Sequence, residues 1–348
     1  MIRLVGTVRR TISAVMRTAL PLAVAATCTS HQRSAATTRR AAPPARDRAR
    51  GISSPIVDSA ARGSHVTVVD LSKKFLIFFD SASKTPLDRD ARWALWQHLY
   101  GFAARPPGPF GDTLARRLFE GAWDRYPASL AKIRRGAAGL GFAPDTVFRK
   151  VVDLLGCGGD THVQLIVFVG GFEGNAFAFP GPDGTQTIAI PLEAGDAFGA
   201  LTHELTHAVH HSRGCANITS GYEMSLPELV ISEGLAMRVT ERLIPGHPSI
   251  YYVGGSQGWL DSANARRTVI LNGIRQHASD SGAATAQRFT FGTGTTGLGR
   301  EGYYAGWLVT GALLDSGLSI HDIAITPSAQ LSTLIARGIE WVERARAP

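Results

Sequence analysis

Five consecutive residues, His203-Glu204-Leu205-Thr206-His207, have the types and the spacing to carry out hydrolysis. Two histidines four apart on an α-helix project from one face, where both imidazoles can reach a single Zn²⁺ at about 2.1 Å. The Glu between them turns toward the position of a metal-bound water. So short a string can arise by chance, and its surroundings have to decide. At about 100° per residue, Phe198, Leu201, Leu205, Ala208 and Val209 gather on one side of residues 196–211. His203, His207 and His210 gather on the other, with Thr206 and His211 at the flanks. The pattern predicts a helix that packs one face into a core and presents imidazoles to a cleft. Asp196 after Gly195 is its expected N-cap, and Arg213-Gly214 its basic last turn and stop.

A catalytic zinc site takes three protein ligands and leaves one position for water, so a third ligand must lie downstream. The HExxHxxGxxH continuation fails, because His210 stands where its Gly would be and Arg213 where its third His would be. A Glu on a second helix is the alternative. Residues 227–244 read as that helix, with Ser225 as cap and Leu229, Val230, Leu235, Ala236 and Val239 as the apolar set. Glu233 is the first candidate on it, with Glu228 and Glu223 as rivals. Gly234 is expected to let this helix approach the metal helix closely, a reason to keep a residue that costs helix stability.

His203-Glu204-Leu205-Thr206-His207, then Ser232-Glu233-Gly234-Leu235-Ala236, then Gly302-Tyr303-Tyr304-Ala305-Gly306 ahead of an apolar helix resemble the bacterial predicted zinc-dependent proteases of gluzincin type. The resemblance spans about residues 161–336. It implies one catalytic Zn²⁺ held by His203, His207 and Glu233, with Glu204 as the catalytic carboxylate. It also implies an α+β, zincin-like metallopeptidase domain, helix-rich, with a small mixed sheet preceding the HExxH helix. The gap from His207 to Glu233 is longer than in thermolysin-like enzymes. In such a mechanism the metal activates water and polarises a peptide carbonyl, and Glu204 takes the proton and returns it to the leaving amine. Tyr303, Tyr304 and His210 are the candidate donors to the oxyanion. For either tyrosine alone, anchoring the helix that runs through Trp307 and Leu308 is the slightly stronger reading, and His210 reads more readily as a packing neighbour of the ligands than as a ligand.

The elements around these motifs are legible in outline. Residues 162–169 and 185–190 read as strands, the second after the turn Gly181-Pro182-Asp183-Gly184, and an edge strand near the site could hold an extended peptide substrate. Residues 87–102, 113–126, 130–140 and 143–155 read as helices, interrupted by Pro106-Pro107-Gly108-Pro109 and Gly136, with Trp93, Trp96, Phe119 and Trp123 as core. Residues 256–279, 303–316 and 326–344 complete a helix-rich second half. The Gly- and Thr-rich residues 292–299 read as a mobile loop or lid near the cleft.

The chain carries 36 Lys+Arg against 28 Asp+Glu, but residues 1–63 hold 11 Arg with only Asp47 and Asp58, leaving 25 basic and 26 acidic side chains in the rest. The positive charge therefore belongs to the tail, and no nucleic-acid partner is expected. Arg3, Arg9, Arg10 and Arg17 precede the apolar run from Ala19 to Ala26, which is too short to span a bilayer. Residues 1–30 are expected to be a signal peptide, residues 31–63 a disordered linker and residues 64–348 the catalytic domain, divided into a helical lobe (about 64–156) and a metal-site lobe (about 157–348). Export to the periplasm or cell envelope follows, with Cys28 a candidate for lipid attachment. An organellar transit peptide or a start at Met16 are the alternatives. Without Cys28, Cys157 and Cys215 are an even pair able to form one disulfide near the site. An envelope-associated protein that binds a peptide without cutting it, its metal structural or lost, is the competing functional class; retention of Glu204 favours the enzyme.

Overall fold

The computed structural model describes residues 65–103, 109–174, 176–180, 185–193, 195–212, 215–216 and 223–345. The expectations for the leader, the linker and Cys28, for the turn at residues 181–184, for Pro106-Pro107-Gly108 and for the helix stop at Arg213-Gly214 lie outside the described residues.

The chain begins with the β-branched strand β1 (Val66–Asp70) and turns directly into α1 (Ser72–Lys84), whose start is held by Asp70 accepting from Ser72 N–H at 2.8 Å. Neither element belongs to those that periodicity predicted. Residues 75–79 are five consecutive apolar or aromatic residues, a run in which the strand and helix periods cannot be told apart. Then come α2 (Arg89–Leu99), α3 (Pro109–Ala122), a 3₁₀ turn (Trp123–Arg125), α4 (Tyr126–Ala138) and α5 (Pro144–Leu155). Their aromatic side chains form one cluster, in which Phe75 meets Tyr126 edge to face at 4.8 Å and Trp93 stacks on Trp96 at 4.7 Å.

Three further strands follow: β2 (Val163–Phe168), β3 (Phe177–Pro180) and β4 (Gln186–Pro191). They join β1 in one sheet of order β1-β2-β4-β3, with β1, β2 and β4 parallel and β3 antiparallel on the edge beside β4. β2 and β4 are covered on both faces, which explains their nearly continuous apolar sequence. Because β1 pairs with β2, the helical segment between them is a long crossover joining neighbouring strands. Its aromatic residues share one hydrophobic core with those around the histidine helix.

The second half is helical: α6 (Ala197–His210), α7 (Leu226–Leu243), α8 (Ser249–Val253), α9 (Gln257–Ala265), α10 (Arg267–His277), α11 (Ala283–Thr290), α12 (Glu301–Asp315), α13 (Ile320–Ala324), a 3₁₀ turn (Ser328–Gln330) and α14 (Leu331–Arg344). α6 lies between β3 and β4 on one side and α7 on the other, and α7 in turn packs along α12. Among the described residues no helix is long and apolar enough to cross a membrane.

The loop at residues 292–299 is not the free lid that its composition suggests. Glu301, almost fully buried, accepts from the backbone N–H groups of Thr295 and Thr296 at 2.7 and 2.8 Å. Arg288 Nε donates to the Gly294 carbonyl at 2.9 Å and Trp259 Nε1 to that of Gly299 at 2.9 Å. The glycines allow the backbone to wrap closely around a buried carboxylate, and a Cβ on Gly294 would lie 2.2 Å from Glu301 Cδ.

Candidate metal centre

α6 is nucleated where the sequence places its cap: the Asp196 carboxylate accepts from the N–H groups of Phe198 and Gly199 at 3.0 and 3.1 Å. Amphipathicity describes this helix poorly, since Leu201, Thr202 and every residue from Glu204 to His210 are buried. The sheet covers one side and α7 the other, so its polar side chains face an enclosed site. α7 starts with a capping box in which Glu228 accepts from Ser225 N–H at 2.8 Å, while Ser328 Oγ donates to the other Glu228 oxygen at 2.9 Å. Glu228 is thereby engaged at the helix start. Glu223 is exposed.

About two turns into α7, Glu233 meets the two histidines. His203 Nε2 and His207 Nε2 are 3.1 Å apart, and Glu233 Oε2 lies 3.3 Å from the first and 3.5 Å from the second. Among the described residues these three form the one His/Cys/Asp/Glu group arranged to hold a metal ion. Donors at the corners of a tetrahedron with 2.0–2.1 Å bonds stand about 3.3 Å apart, so the three measured separations fit one small divalent cation. Glu233 Oε2 is buried and has no hydrogen-bond partner, which is costly for a carboxylate unless a cation balances it. Burial opposes the charge on Glu233, yet the imidazoles, His207 foremost, hold its carboxyl well below the usual range.

Glu204 is 8 % exposed beside this cluster. Burial raises its pKa to about 7, with His207 working against the rise and the Glu233 charge adding to it. The Ala178 N–H on β3 donates to it, which ties the carboxylate to the edge strand. A carboxyl group poised near neutrality can both accept and return a proton.

The two tyrosines diverge, as adjacent residues on a helix must. The Tyr303 phenol reaches the Glu233 carboxylate, and its pKa is raised well above its ordinary value by burial and then by Glu233. The Arg300 guanidinium lies over its ring at 3.9 Å. Tyr304 points the opposite way, donating to Asn264 Oδ1 at 2.8 Å and accepting from Arg267 Nε at 3.2 Å. His210 does not join His203 and His207 at the cleft. It is 1 % exposed, and burial lowers its pKa to about 3, with the charge of His207 adding and the Ala324 carbonyl opposing. At 100° per residue, three residues carry it 60° away from the His207 direction, enough to send it under α13.

Gly234 permits a close approach, but to a different helix from the one expected. A Cβ there would lie 2.0 Å from Thr310 Oγ1 and 2.5 Å from the Gly306 carbonyl, and a Cβ on Gly306 would lie 2.5 Å from the Val230 carbonyl. The crossing is with α12. The Gly302-x-x-x-Gly306 spacing of the third motif thus packs α12 against α7 and brings Tyr303 to Glu233. Sequence reasoning passed over Ser232 and left His211 at the margin. Ser232 Oγ lies 2.9 Å from His207 Nδ1 and 2.7 Å from His211 Nε2. Burial, then the neighbouring imidazoles of His207 and His210, push the His211 pKa well below its ordinary value. The available signal was that His211 lies four residues beyond His207. Cys157 and Cys215, just beyond α5 and α6, are joined by a disulfide.

Residues 178–333 match the model of a family described as Predicted Zn-dependent protease (DUF2268). That span runs from β3 into α14 and contains all the residues of the cluster. No curated protein and no solved structure matches the chain.

Proposed function

We propose that this protein is a zinc-dependent peptidase that hydrolyses peptide bonds with Glu204 as general base. The observation that carries the reading is the convergence of His203 Nε2, His207 Nε2 and the unpartnered Glu233 Oε2 within 3.5 Å, next to a buried Glu204. Zinc held by His203, His207 and Glu233 would supply a Lewis acid that makes water nucleophilic near neutral pH and polarises the scissile carbonyl. Glu204 takes the proton lost by the attacking water and delivers it to the amine nitrogen as the C–N bond breaks, so water and amide become acid and amine. Tyr303 is the candidate donor to the tetrahedral oxyanion, its phenol lying at the Glu233 carboxylate. Tyr304, bonded to Asn264 and Arg267, supports α12 instead. An extended peptide on the outer edge of β3, the last strand of the sheet among the described residues, would run beside Glu204, since Ala178 belongs to that strand.

The disulfide, together with the basic and apolar leader, supports export to the periplasm or cell envelope. The test is cleavage of a quenched peptide library by the zinc-loaded chain with and without chelator, beside Glu204→Gln. We expect about one zinc per chain in both proteins, with turnover lost to chelator and lowered about 10³-fold in the variant. Zinc bound without turnover in the parent would instead indicate a peptide-binding protein.

A further inference from the structure

Hydroxyls within the helices of this protein generally bond back to the carbonyl four residues earlier, as Thr202, Thr206, Thr240 and Thr290 do at 2.7–2.9 Å. Ser232 is an exception. Fully buried on α7, its hydroxyl turns to two imidazoles of α6, 2.9 Å from His207 Nδ1 and 2.7 Å from His211 Nε2. A hydroxyl has one proton, so it donates to one ring and must accept from the other. In one arrangement His207 carries its proton on Nδ1 and donates to Ser232, which donates to Nε2 of a neutral His211. His207 Nε2 then directs a lone pair toward His203 and Glu233. In the reverse arrangement the proton sits on His207 Nε2, in the middle of the cluster, where it would repel a cation.

We propose that Ser232, backed by His211, is the positioning residue for His207, fixing the Nδ1–H tautomer and the ring plane through a Ser–His relay. The inference rests on the zinc reading above. A metal-bound imidazole commonly donates its second N–H to a carboxylate, a backbone carbonyl or a water. Here a hydroxyl and a second imidazole fill that place. Because Ser232 precedes Glu233, the peptide unit that presents the third ligand also orients the second.

The test is zinc affinity, measured with the metal ion alone by chelator competition, for the parent, Ser232→Ala, His211→Gln and the double variant, together with ¹⁵N imidazole NMR. We expect Ser232→Ala to weaken zinc about 10–100-fold while the metal-free protein keeps its melting temperature. The double variant should bind no more weakly than Ser232→Ala, because both act through one chain. The parent should carry the His207 proton on Nδ1. Parent-like zinc affinity in Ser232→Ala, additive losses in the double variant, or protonation of His207 at Nε2 would each overturn the relay. If the parent takes up no zinc, the zinc reading fails on its own account. The NMR of the metal-free protein still decides the relay: a His207 proton on Nδ1 that Ser232→Ala redistributes supports it, and a proton on Nε2 overturns it.

Discussion

Glu204 and Glu233 are both buried carboxylates beside His207, yet their ionisation is driven in opposite directions. Glu233 faces two rings and stays charged; burial, and after it the Glu233 charge, raises Glu204 to about 7. Divergent environments of this kind suit one carboxyl to hold a cation and the other to exchange protons, as the proposed function requires. Tyr303 and Tyr304 repeat the pattern of neighbours with different surroundings, and substitution should separate them. Tyr303→Phe is expected to slow the chemical step about 10²-fold at an unchanged melting temperature. Tyr304→Phe should lower stability by about 1–2 kcal/mol through the bonds lost at Asn264 and Arg267, visible as a shifted denaturant midpoint. His210 makes a pH prediction. The unfolded chain protonates this ring near 6.5 and the folded chain only near 3, so between those values the unfolded state binds the additional proton. Stability from this residue is complete above pH 6.5 and falls on acidification, with a slope of up to about 1.4 kcal/mol per pH unit. Melting curves from pH 7 to 4 should be flatter for His210→Leu than for the parent.

Among the elements, the decisive contact is the crossing of α7 and α12 at Gly234 and Gly306, where backbone meets backbone. Gly234→Ala must push α12 away from Gly306 and Thr310. We expect a loss of about 3 kcal/mol in denaturant unfolding, accompanied by weaker zinc retention because Glu233 lies next to the displaced residue. A variant as stable as the parent would mean that the crossing relaxes without cost. The glycine was visible in the sequence, but its partner helix was not, since a glycine announces a close approach without saying what approaches. The Gly- and Thr-rich loop before α12 misled for a related reason: its composition suggests mobility, whereas Glu301 supplies the acceptor that its amides need.

For the molecule as a whole, the disulfide closes a loop of 58 residues that contains β2, β3, β4 and α6. Cys215→Ser or reduction should cost about 4 kcal/mol of loop-closure entropy, read as a lower melting temperature in reductant. The sheet states the same lesson in topology. β1 and β2 are neighbours although five helices separate them, and a five-residue strand carries too little pattern to announce such a pairing. The features legible in the chain alone are local: the histidine spacing on one helix, the caps at Asp196 and Ser225, and a Glu-bearing helix downstream, all of which follow from periods of a few residues. Which tyrosine faces Glu233, where His210 goes and that Ser232 bridges two rings follow from tertiary packing alone. Those choices depend on how α6, α7 and α12 cross, and crossing geometry is set by contacts between residues far apart in the chain.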